Sequence, residues 1–236
     1  KAMNARSVKG RLSRGGTILK SARSQAFRTK KGREAAANNL KKNNINGLIV
    51  IGGDGTFTGA HLLHKEFGLP VIGIPGTIDN DLYGTDNTVG YDTANNTVVK
   101  CIDKIRDTAN SHNRLFIVEV MGRDSGFIAL SAGIATGALD IVLPETSSNL
   151  DKIFDSVQKG AENKKTSNII VVAEGNKIGT PFEISQKLLT KYPHLDIKVT
   201  VLGHVQRGGS PSTLDRVNAS IMGVAAVENL INGKSD

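Results

Sequence analysis

GLIVIGGDGT, residues 47–56, runs from a continuous apolar segment directly into a glycine-rich loop. A continuous apolar run of this length is typical of a strand that is buried on both faces of a parallel sheet. Residues 57–67 then predict a helix, so the glycines join a strand to a helix. Glycine lets the backbone approach a phosphate closely, and the free N–H groups at the start of a helix attract anions. This stretch therefore predicts an α/β protein that binds a phosphorylated ligand.

The same alternation of apolar runs and amphipathic segments continues along the rest of the sequence. Parallel strands need crossover helices, and these helices cover the faces of the sheet. The pattern therefore predicts mainly parallel sheets inside three-layer α/β/α domains. The expected strands are 71–74, 115–120, 141–143, 169–173 and 197–202, and the expected helices are 91–112, 125–136, 150–163, 182–192 and 214–232.

Polar, glycine-rich loops follow most of the expected strands. In an open parallel sheet, ligands bind beyond the carboxyl ends of the strands. One such loop could be structural, but five of them at one kind of strand end predict a binding site. The loops are 52–56, 76–81, 121–123, 174–175 and 203–209.

Composition narrows the function further. The chain has 236 residues, a net charge of +8, one cysteine and no tryptophan. A single cysteine excludes an internal disulfide framework and two-cysteine zinc motifs. The scarcity of aromatic residues argues against nucleic-acid binding, and no apolar run is long enough to span a membrane. We expect a cytoplasmic protein whose partners are small phosphorylated molecules rather than nucleic acid or membrane.

Acidic side chains in two of the loops suit phosphoryl transfer. Asp54, beside a nucleotide, makes sense as a Mg²⁺ ligand, although it could also cap the following helix. Asp79 and Asp81 follow Thr77, and a kinase that acts on a hydroxyl needs one carboxylate to accept the proton and a second to help hold the metal. The alternative is a turn in which both acids bind backbone N–H groups.

Basic side chains supply candidate anion clamps, because arginine binds phosphate oxygens in a two-pronged manner. A solvated surface role is the alternative for each of them, and it is weakest for the two in strand-end loops, Arg123 and Arg207. Loop position also favours a functional Glu174, whereas His204 could be a ligand or a structural side chain. The remaining candidates are Arg23, Arg28 and Arg114, and Arg106 and Lys165 could be ordinary surface charges.

Six motifs occur in an order and spacing that resemble the phosphofructokinases. They are GGDGT, PGTIDND, VEVMGR, PE, AEG and VLGHVQRGGSP, and together they cover essentially the whole sequence. The resemblance implies two α/β domains: residues 1–90 plus 206–236 for ATP, and residues 91–205 for the sugar phosphate. It also implies a homotetramer in which neighbouring subunits share the sugar-phosphate site.

The activity implied by the resemblance is transfer of the γ-phosphoryl group of MgATP to the 1-hydroxyl of fructose 6-phosphate. Asp79 resembles the base, with Thr77, Arg123 and Arg23 as its catalytic companions, and Asp54 and Asp81 resemble the Mg²⁺-associated acids. The implied ATP site is Arg23, Gly53, Asp54, Gly55 and Thr56. The implied sugar-phosphate site is Thr77, Asp79, Arg114 from a neighbouring subunit, Met121, Gly122, Arg123, Glu174, Lys198, His204 and Arg207.

The small size of Gly55 and Gly76 indicates which phosphoryl donor is used. Pyrophosphate-using relatives tend to carry an acid where Gly55 stands and a lysine where Gly76 stands, and those side chains would occupy space that adenosine needs. Two glycines favour ATP, with a pyrophosphate-dependent enzyme as the alternative.

Three departures from the family pattern bear on activity. The family's opening strand and its G-G-D-x-x-G-x-N nucleotide loop have no counterpart here, so we expect an interior part of a longer chain. A noncatalytic regulatory subunit is the further alternative. Lys198 stands where the family has an arginine, which predicts weaker sugar-phosphate binding. Leu139 replaces an effector-site acid of some bacterial members, which argues against allosteric control by ADP or phosphoenolpyruvate, although Arg106 and Lys165 fit an anionic effector site.

Overall fold

The computed structural model describes residues 3–112, 114–146, 149–163 and 168–235, with the side chains of residues 109–112 left out. Among these residues there are two compact units. The first unit comprises the residues up to Thr77, Asp81–Val89 and the residues from Thr213 onward. The second unit comprises Ile78–Asn80 and Gly90–Ser212.

Helices and strands alternate along the described residues, as the sequence predicts. The strands are β1 Leu48–Gly52, β2 Val71–Pro75, β3 Leu115–Val120, β4 Asp140–Val142, β5 Asn168–Ala173 and β6 Ile197–Val201. The α-helices are α1 Ala5–Val8, α2 Lys30–Lys42, α3 Asp54–Phe67, α4 Tyr91–His112, α5 Phe127–Ala135, α6 Leu150–Glu162, α7 Pro181–Lys191 and α8 Thr213–Ile231. Short 3₁₀ helices cover Ala26–Arg28 and Gly203–Arg207.

The first unit is built on the parallel pair β1 and β2, in which Leu48 pairs with Val71. Helices α3 and α8 pack on these strands. Glycine allows close approach at two points: a Cβ on Gly47 would lie 3.1 Å from Leu230 of α8, and one on Gly73 would lie 2.8 Å from the ring of Phe57 of α3. The apolar runs therefore become strands covered by helices.

The second unit is a parallel four-stranded sheet in the order β4-β5-β3-β6. Successive strand residues point to opposite faces, and each face of this sheet has its own core. Val118 and Ile169 belong to the core formed with α4 and α5, whereas Ile117 and Ile170 belong to the core formed with α6 and α7. This unit therefore has the predicted three layers, and the α/β fold class is confirmed.

The predicted strands and helices from residue 47 onward are observed to within three residues at each end. Helix α3 starts three residues earlier than predicted, because Gly53 serves as its N-cap in extended backbone. The sequence pattern predicts no helix at residues 30–42, which form α2. That helix has few apolar residues, and it starts at Thr29, whose hydroxyl accepts the N–H of Gly32 at 3.1 Å.

Residues 78–80, 90 and 206–212 lie in the second unit, whereas the predicted domain division placed them with the first. Hydrogen bonds explain the difference. Ser125 Oγ donates to Asp79 O at 3.0 Å, and Ser212 N donates to Thr93 Oγ1 at 3.0 Å. The assignment of ATP and sugar phosphate to the two units stays a prediction. No helix within the described ranges is both long and apolar enough to cross a membrane.

Candidate active site

In the first unit, the loop between β1 and α3 leaves the first turn of the helix open. Gly53 has no side chain to cap α3, and its carbonyl accepts the N–H groups of Thr56 at 2.9 Å and Phe57 at 3.1 Å. A Cβ on Gly55 would meet no atom within 4 Å. Because the first N–H groups of a helix and the helix dipole favour anions, this turn of residues 53–56, the phosphate turn, is suited to bind phosphate oxygens.

The loop that follows β2 lies beside this turn. Gly76 N donates to Gly52 O at 2.9 Å, and a Cβ on Gly53 would lie 3.5 Å from Cβ of Thr77. Thr88 was not predicted as a site residue, yet its hydroxyl is buried and donates to Thr77 O at 2.6 Å. The structure therefore brings together the predicted residues Gly53, Asp54, Gly55, Thr56 and Thr77.

The two glycines used to argue for ATP differ in their surroundings. Gly55 borders open space, so an acid there would extend into the volume next to the phosphate turn. Gly76 is tightly packed, because a Cβ there would lie 2.9 Å from Ile51 Cγ2. The glycine at position 76 is therefore also favoured by its contact with Ile51 of β1, and only position 55 supports the size argument by itself.

In the second unit, Glu174 shapes the loop after β3. Its Oε1 accepts the N–H of Arg123 at 2.7 Å and that of Gly122 at 3.3 Å. Both donors have positive φ, 148° at Gly122 and 55° at Arg123, a conformation that costs energy for a residue with a side chain. The carboxylate therefore holds a strained turn, and this turn leaves the Arg123 side chain exposed at 67%.

Gln206, which was not predicted as a site residue, joins two of the predicted loops. Its side chain is 1% exposed; Oε1 accepts the N–H of Met121 at 3.1 Å and Nε2 donates to Gly203 O at 3.0 Å. The available signal was a polar residue inside a glycine-rich loop. Its two predicted neighbours, His204 and Arg207, are exposed.

Glu119 is a second functional candidate that was not predicted from the sequence. It stands one residue before the end of β3, opposite Val172 of β5 and Val201 of β6. Burial and the nearby negative charge of Glu174 raise the pKa of its carboxyl group. An acid whose ionised form is disfavoured therefore lies beside the loop that Glu174 organises.

Arg114 and Lys198 lie at the other end of this sheet. Arg114 Nε donates to Asp196 Oδ2 at 2.6 Å, and Lys198 Nζ lies 2.8 Å from Asp196 Oδ1. Their hydrogen bonds lower the pKa of Asp196. Arg114 directly precedes the six-residue strand β3, whereas Met121 directly follows it. A strand of that length spans roughly 20 Å, so within one chain these two cations do not join the carboxyl-end loops.

Of the two predicted effector residues, the structure describes Arg106. The guanidinium of Arg106 donates to the carbonyl of Thr136 at the end of α5. Lys165 lies outside the described residues. Leu139 packs against the core between the sheet and α6, where its Cδ1 lies 3.0 Å from the position of a Cβ on Gly160.

No group of three or more His, Cys, Asp or Glu side chains that could hold a metal ion occurs within the ranges that the structure describes. The donor set nonetheless fits Mg²⁺, which typically binds one or two carboxylates together with phosphate oxygens. Asp54 is the first residue of α3, directly beside the phosphate turn, and both Asp54 and Asp81 are exposed in the first unit.

Glycine-rich loops at the carboxyl ends of parallel strands, with carboxylates and arginines beside them, define an α/β protein of the phosphate-binding class. A sequence model described as phosphofructokinase matches residues 1–230. The chain belongs to the phosphofructokinase family, as the motifs predicted.

Two curated relatives are similar over nearly all of the chain. ATP-dependent 6-phosphofructokinase 2 of Bacteroides thetaiotaomicron is 48% identical over 231 residues, which cover 98% of this chain and 71% of that protein. The ATP-dependent 6-phosphofructokinase of Brevibacillus brevis is 53% identical over 236 residues, which cover 100% of this chain and 73% of that protein.

Solved structures agree with the fold. Phosphofructokinase from Saccharomyces cerevisiae matches with a TM-score of 0.90 and 38% identity, covering 97% of this chain but only 34% of that one. A pyrophosphate-dependent phosphofructokinase from Marinobacter aquaeolei matches with a TM-score of 0.79 and 24% identity, covering 93% of this chain and 59% of that one. The second likeness concerns the fold alone.

Proposed function

We propose that this chain carries the catalytic body of an ATP-dependent 6-phosphofructokinase. The reaction moves the γ-phosphoryl group of ATP to the 1-hydroxyl of fructose 6-phosphate and releases ADP and fructose 1,6-bisphosphate, a step of glycolysis. The names of relatives that are 48% and 53% identical support this substrate pair. The first unit is proposed to bind ATP and the second to bind the sugar phosphate.

The observation that carries the proposal is the hydrogen bond from Ser125 Oγ to Asp79 O, 3.0 Å long. It ties residues 78–80 to the loop after β3, so Asp79 belongs to the same unit as Arg123 and Glu174. A general base must be held in fixed register with the groups that bind the hydroxyl it deprotonates. This connection supports Asp79 as the base.

In the proposed reaction, the 1-hydroxyl oxygen of the sugar attacks the γ-phosphorus while the bond to the β-phosphate oxygen breaks. The hydroxyl proton passes to the carboxylate of Asp79. Arg23 and Arg123 balance the charge on the transferring phosphoryl oxygens, as oriented guanidinium groups do. The hydroxyl of Thr77, which lies next to the phosphate turn, is proposed to donate a hydrogen bond to the same phosphoryl oxygens.

The binding residues divide between the two units. The phosphate turn, residues 53–56, is proposed to lie along the ATP phosphates at the N-terminal end of α3, where the helix dipole favours anions. Arg123, His204 and Arg207, all exposed, are proposed to bind the sugar phosphate. Glu174 acts on this site through the backbone of residues 122 and 123, to which it is bonded.

Mg²⁺ is the proposed cofactor, and Asp54 and Asp81 are the residues that would hold it. When bound, it would neutralise charge on the ATP phosphates. Both carboxylates belong to the unit that carries the phosphate turn, which is consistent with a shared metal–nucleotide site.

A homotetramer with shared sugar-phosphate sites is also proposed. Arg114 and Lys198 lie at the amino ends of β3 and β6, far from the carboxyl-end loops of their own chain. In a tetramer they would instead contact the sugar phosphate bound to a neighbouring subunit.

Lys198→Ala should raise the KM for fructose 6-phosphate about tenfold, because one charge-assisted contact is lost. Lys152→Ala, an exposed lysine of α6, is the control. An unchanged KM in the Lys198 variant would exclude this contact.

Asp79→Ser tests the proposed chemistry. Loss of the base should lower kcat by about 10²–10⁴-fold, with both KM values within a few-fold of the parent. Asp103→Asn removes an exposed carboxylate of α4 and should leave kcat unchanged. Near-normal turnover of the Asp79 variant would remove this residue from the base role.

A donor assay separates the main alternatives. ATP should support phosphorylation at a rate far above that with pyrophosphate, because Gly55 leaves open the space beside the phosphate turn. Faster turnover with pyrophosphate would favour the pyrophosphate-dependent relatives. Absence of turnover with either donor would favour a noncatalytic subunit.

A further inference from the structure

Arg33 differs from the other cations in its part of the chain. Residues 20–33 contain no acidic residue, and their basic residues other than Arg33 are exposed. Arg33 is only 6% exposed. The exposed members are Lys20, Arg23, Arg28, Lys30 and Lys31. A buried guanidinium within an otherwise exposed basic segment needs a structural or functional reason.

The hydrogen bonds of Arg33 connect three elements of the first unit. Its Nε donates to Glu66 Oε2 at 2.7 Å and its Nη2 to Glu66 Oε1 at 2.6 Å, a two-pronged pair between α2 and α3. Its Nη1 donates to the carbonyls of Phe27 at 3.2 Å and Arg28 at 3.0 Å. One guanidinium thereby ties the 3₁₀ turn 26–28 to both helices.

Two packing contacts hold the same turn in place. Gly32 faces the backbone of Ala26 so closely that a Cβ at this position would overlap the Ala26 carbonyl. The ring of Phe27 lies against Gly59 of α3, 3.1 Å from the position of a Cβ there. The turn therefore lies on α3 through Phe27 and on α2 through Gly32, with Arg33 bonded to its carbonyls.

The charge of Arg33 is already balanced within the protein. Glu66 raises the pKa of Arg33, and the guanidinium in turn lowers the pKa of Glu66, mainly through their hydrogen bonds. Its donors point to Glu66 and to two backbone carbonyls. Arg33 is therefore not arranged as a direct phosphate ligand, unlike the exposed Arg23 and Arg28.

We propose that Arg33 is a positioning residue for ATP, which holds the arginine-bearing segment 23–28 against helix α3, whose first turn is the phosphate turn. The inference rests on the proposed function. Gly59, where Phe27 packs, lies five residues after Asp54, about 7.5 Å along the helix. Arg23 precedes Phe27 by four residues, a span of up to about 14 Å. Fixing Phe27 on α3 therefore keeps Arg23 within reach of a nucleotide on that turn.

Arg33→Gln is the first test. The KM for ATP should rise about tenfold, because the arginines of segment 23–28 would no longer be held in position to bind phosphate oxygens. The KM for fructose 6-phosphate should stay within about twofold of the parent value. Backbone amides of residues 21–28 should exchange with deuterium faster than in the parent. Glu183→Gln, which weakens the N-terminal cap of α7 in the second unit, controls for general destabilisation and should leave the KM for ATP unchanged. Equal rises in both KM values for Arg33→Gln would overturn the proposal.

A charge exchange separates positioning from stability. Arg33→Glu with Glu66→Arg restores an ion pair between α2 and α3, so the thermal midpoint should recover toward the parent. A carboxylate cannot donate to the carbonyls of Phe27 and Arg28, so the KM for ATP should remain raised. Recovery of the KM together with the midpoint would show that the ion pair alone matters, and it would refute the positioning role.

Gly32→Ala displaces the turn by a different route. Alanine favours the helix, so α2 should form, yet its Cβ overlaps the Ala26 carbonyl and must move the turn. The KM for ATP should rise as in Arg33→Gln, and an unchanged KM would count against the proposal. If the parent shows no ATP-dependent phosphorylation, the proposed function fails. The exchange rates of residues 21–28 in Arg33→Gln then still decide whether Arg33 holds this segment.

Discussion

Replacing Gln206 by leucine should destabilise the protein and weaken the sugar-phosphate site together. The side chain is 1% exposed and bridges Met121 N and Gly203 O at 3.1 and 3.0 Å. Leucine has a similar size, so little cavity results. The change therefore isolates the loss of two hydrogen bonds, one that joins the loop after β3 to the loop after β6 and one within the latter.

The magnitude follows from the two groups that lose their partner. A buried backbone N–H or C=O left unsatisfied costs about 1–3 kcal/mol. Two such groups give about 2–6 kcal/mol, and because Met121 and Gly203 are only half-buried, water offsets part of this. We expect a loss of about 2–4 kcal/mol in the free energy of unfolding, a large share of the 5–15 kcal/mol typical of a domain.

Urea unfolding followed by circular dichroism, at one protein concentration, measures the loss through the midpoint at constant m. Gln186→Leu, the same change on the exposed face of α7, should alter stability by no more than about 0.5 kcal/mol. The KM for fructose 6-phosphate should rise in Gln206→Leu, because Met121 and Arg207 lie in the released loops. A loss below about 1 kcal/mol with an unchanged KM would refute the bridging role.

Three further substitutions test the packing and the electrostatics. Ile170→Ala opens a cavity at a residue that is 0% exposed and should cost about 2–5 kcal/mol in urea unfolding. Hydrogen bonds from Thr180 lower the pKa of Glu183, so the ionised carboxylate stabilises the folded state. This stabilisation is lost as the pH falls through the lowered pKa. Glu183→Gln should therefore lower the thermal midpoint at pH 7 but hardly at acid pH. The pKa of Glu119 is raised by burial and by Glu174, so the folded state disfavours the ionised form. Stability falls as the pH rises above the ordinary glutamate pKa, and Glu119→Gln should raise the midpoint at pH 7 and not at acid pH; a lower midpoint at pH 7 would contradict this.

Much of the fold was predictable because burial on both faces of a sheet leaves a plain pattern. The run 115–120 was expected as a strand and is observed as Leu115–Val120. Helix α2 was missed because its support lies elsewhere in the chain. Few apolar residues mark it, whereas Glu66, 33 residues from Arg33, forms an ion pair with it.

The candidate site, too, could be predicted from the sequence only in part. The loops 52–56, 121–123 and 203–209 were predicted as binding loops because glycines and polar residues follow apolar runs at the carboxyl ends of parallel strands. The roles of Gln206 and Glu119 could not be predicted. They depend on β3 lying between β5 and β6, which places residues 119, 174 and 206 near one another.

The sequence alone determined the family, the strands and most helices, and the chemical character of each loop. These properties are local, because hydrophobic periodicity and glycine content act over a few neighbouring residues. Only the tertiary structure decided that Arg33 is paired with Glu66, that Glu174 holds the backbone at residues 122 and 123, and that Gln206 accepts the N–H of Met121. Hydrogen bonds and ion pairs of this kind form between residues far apart in the chain, so strand order and packing select the partners.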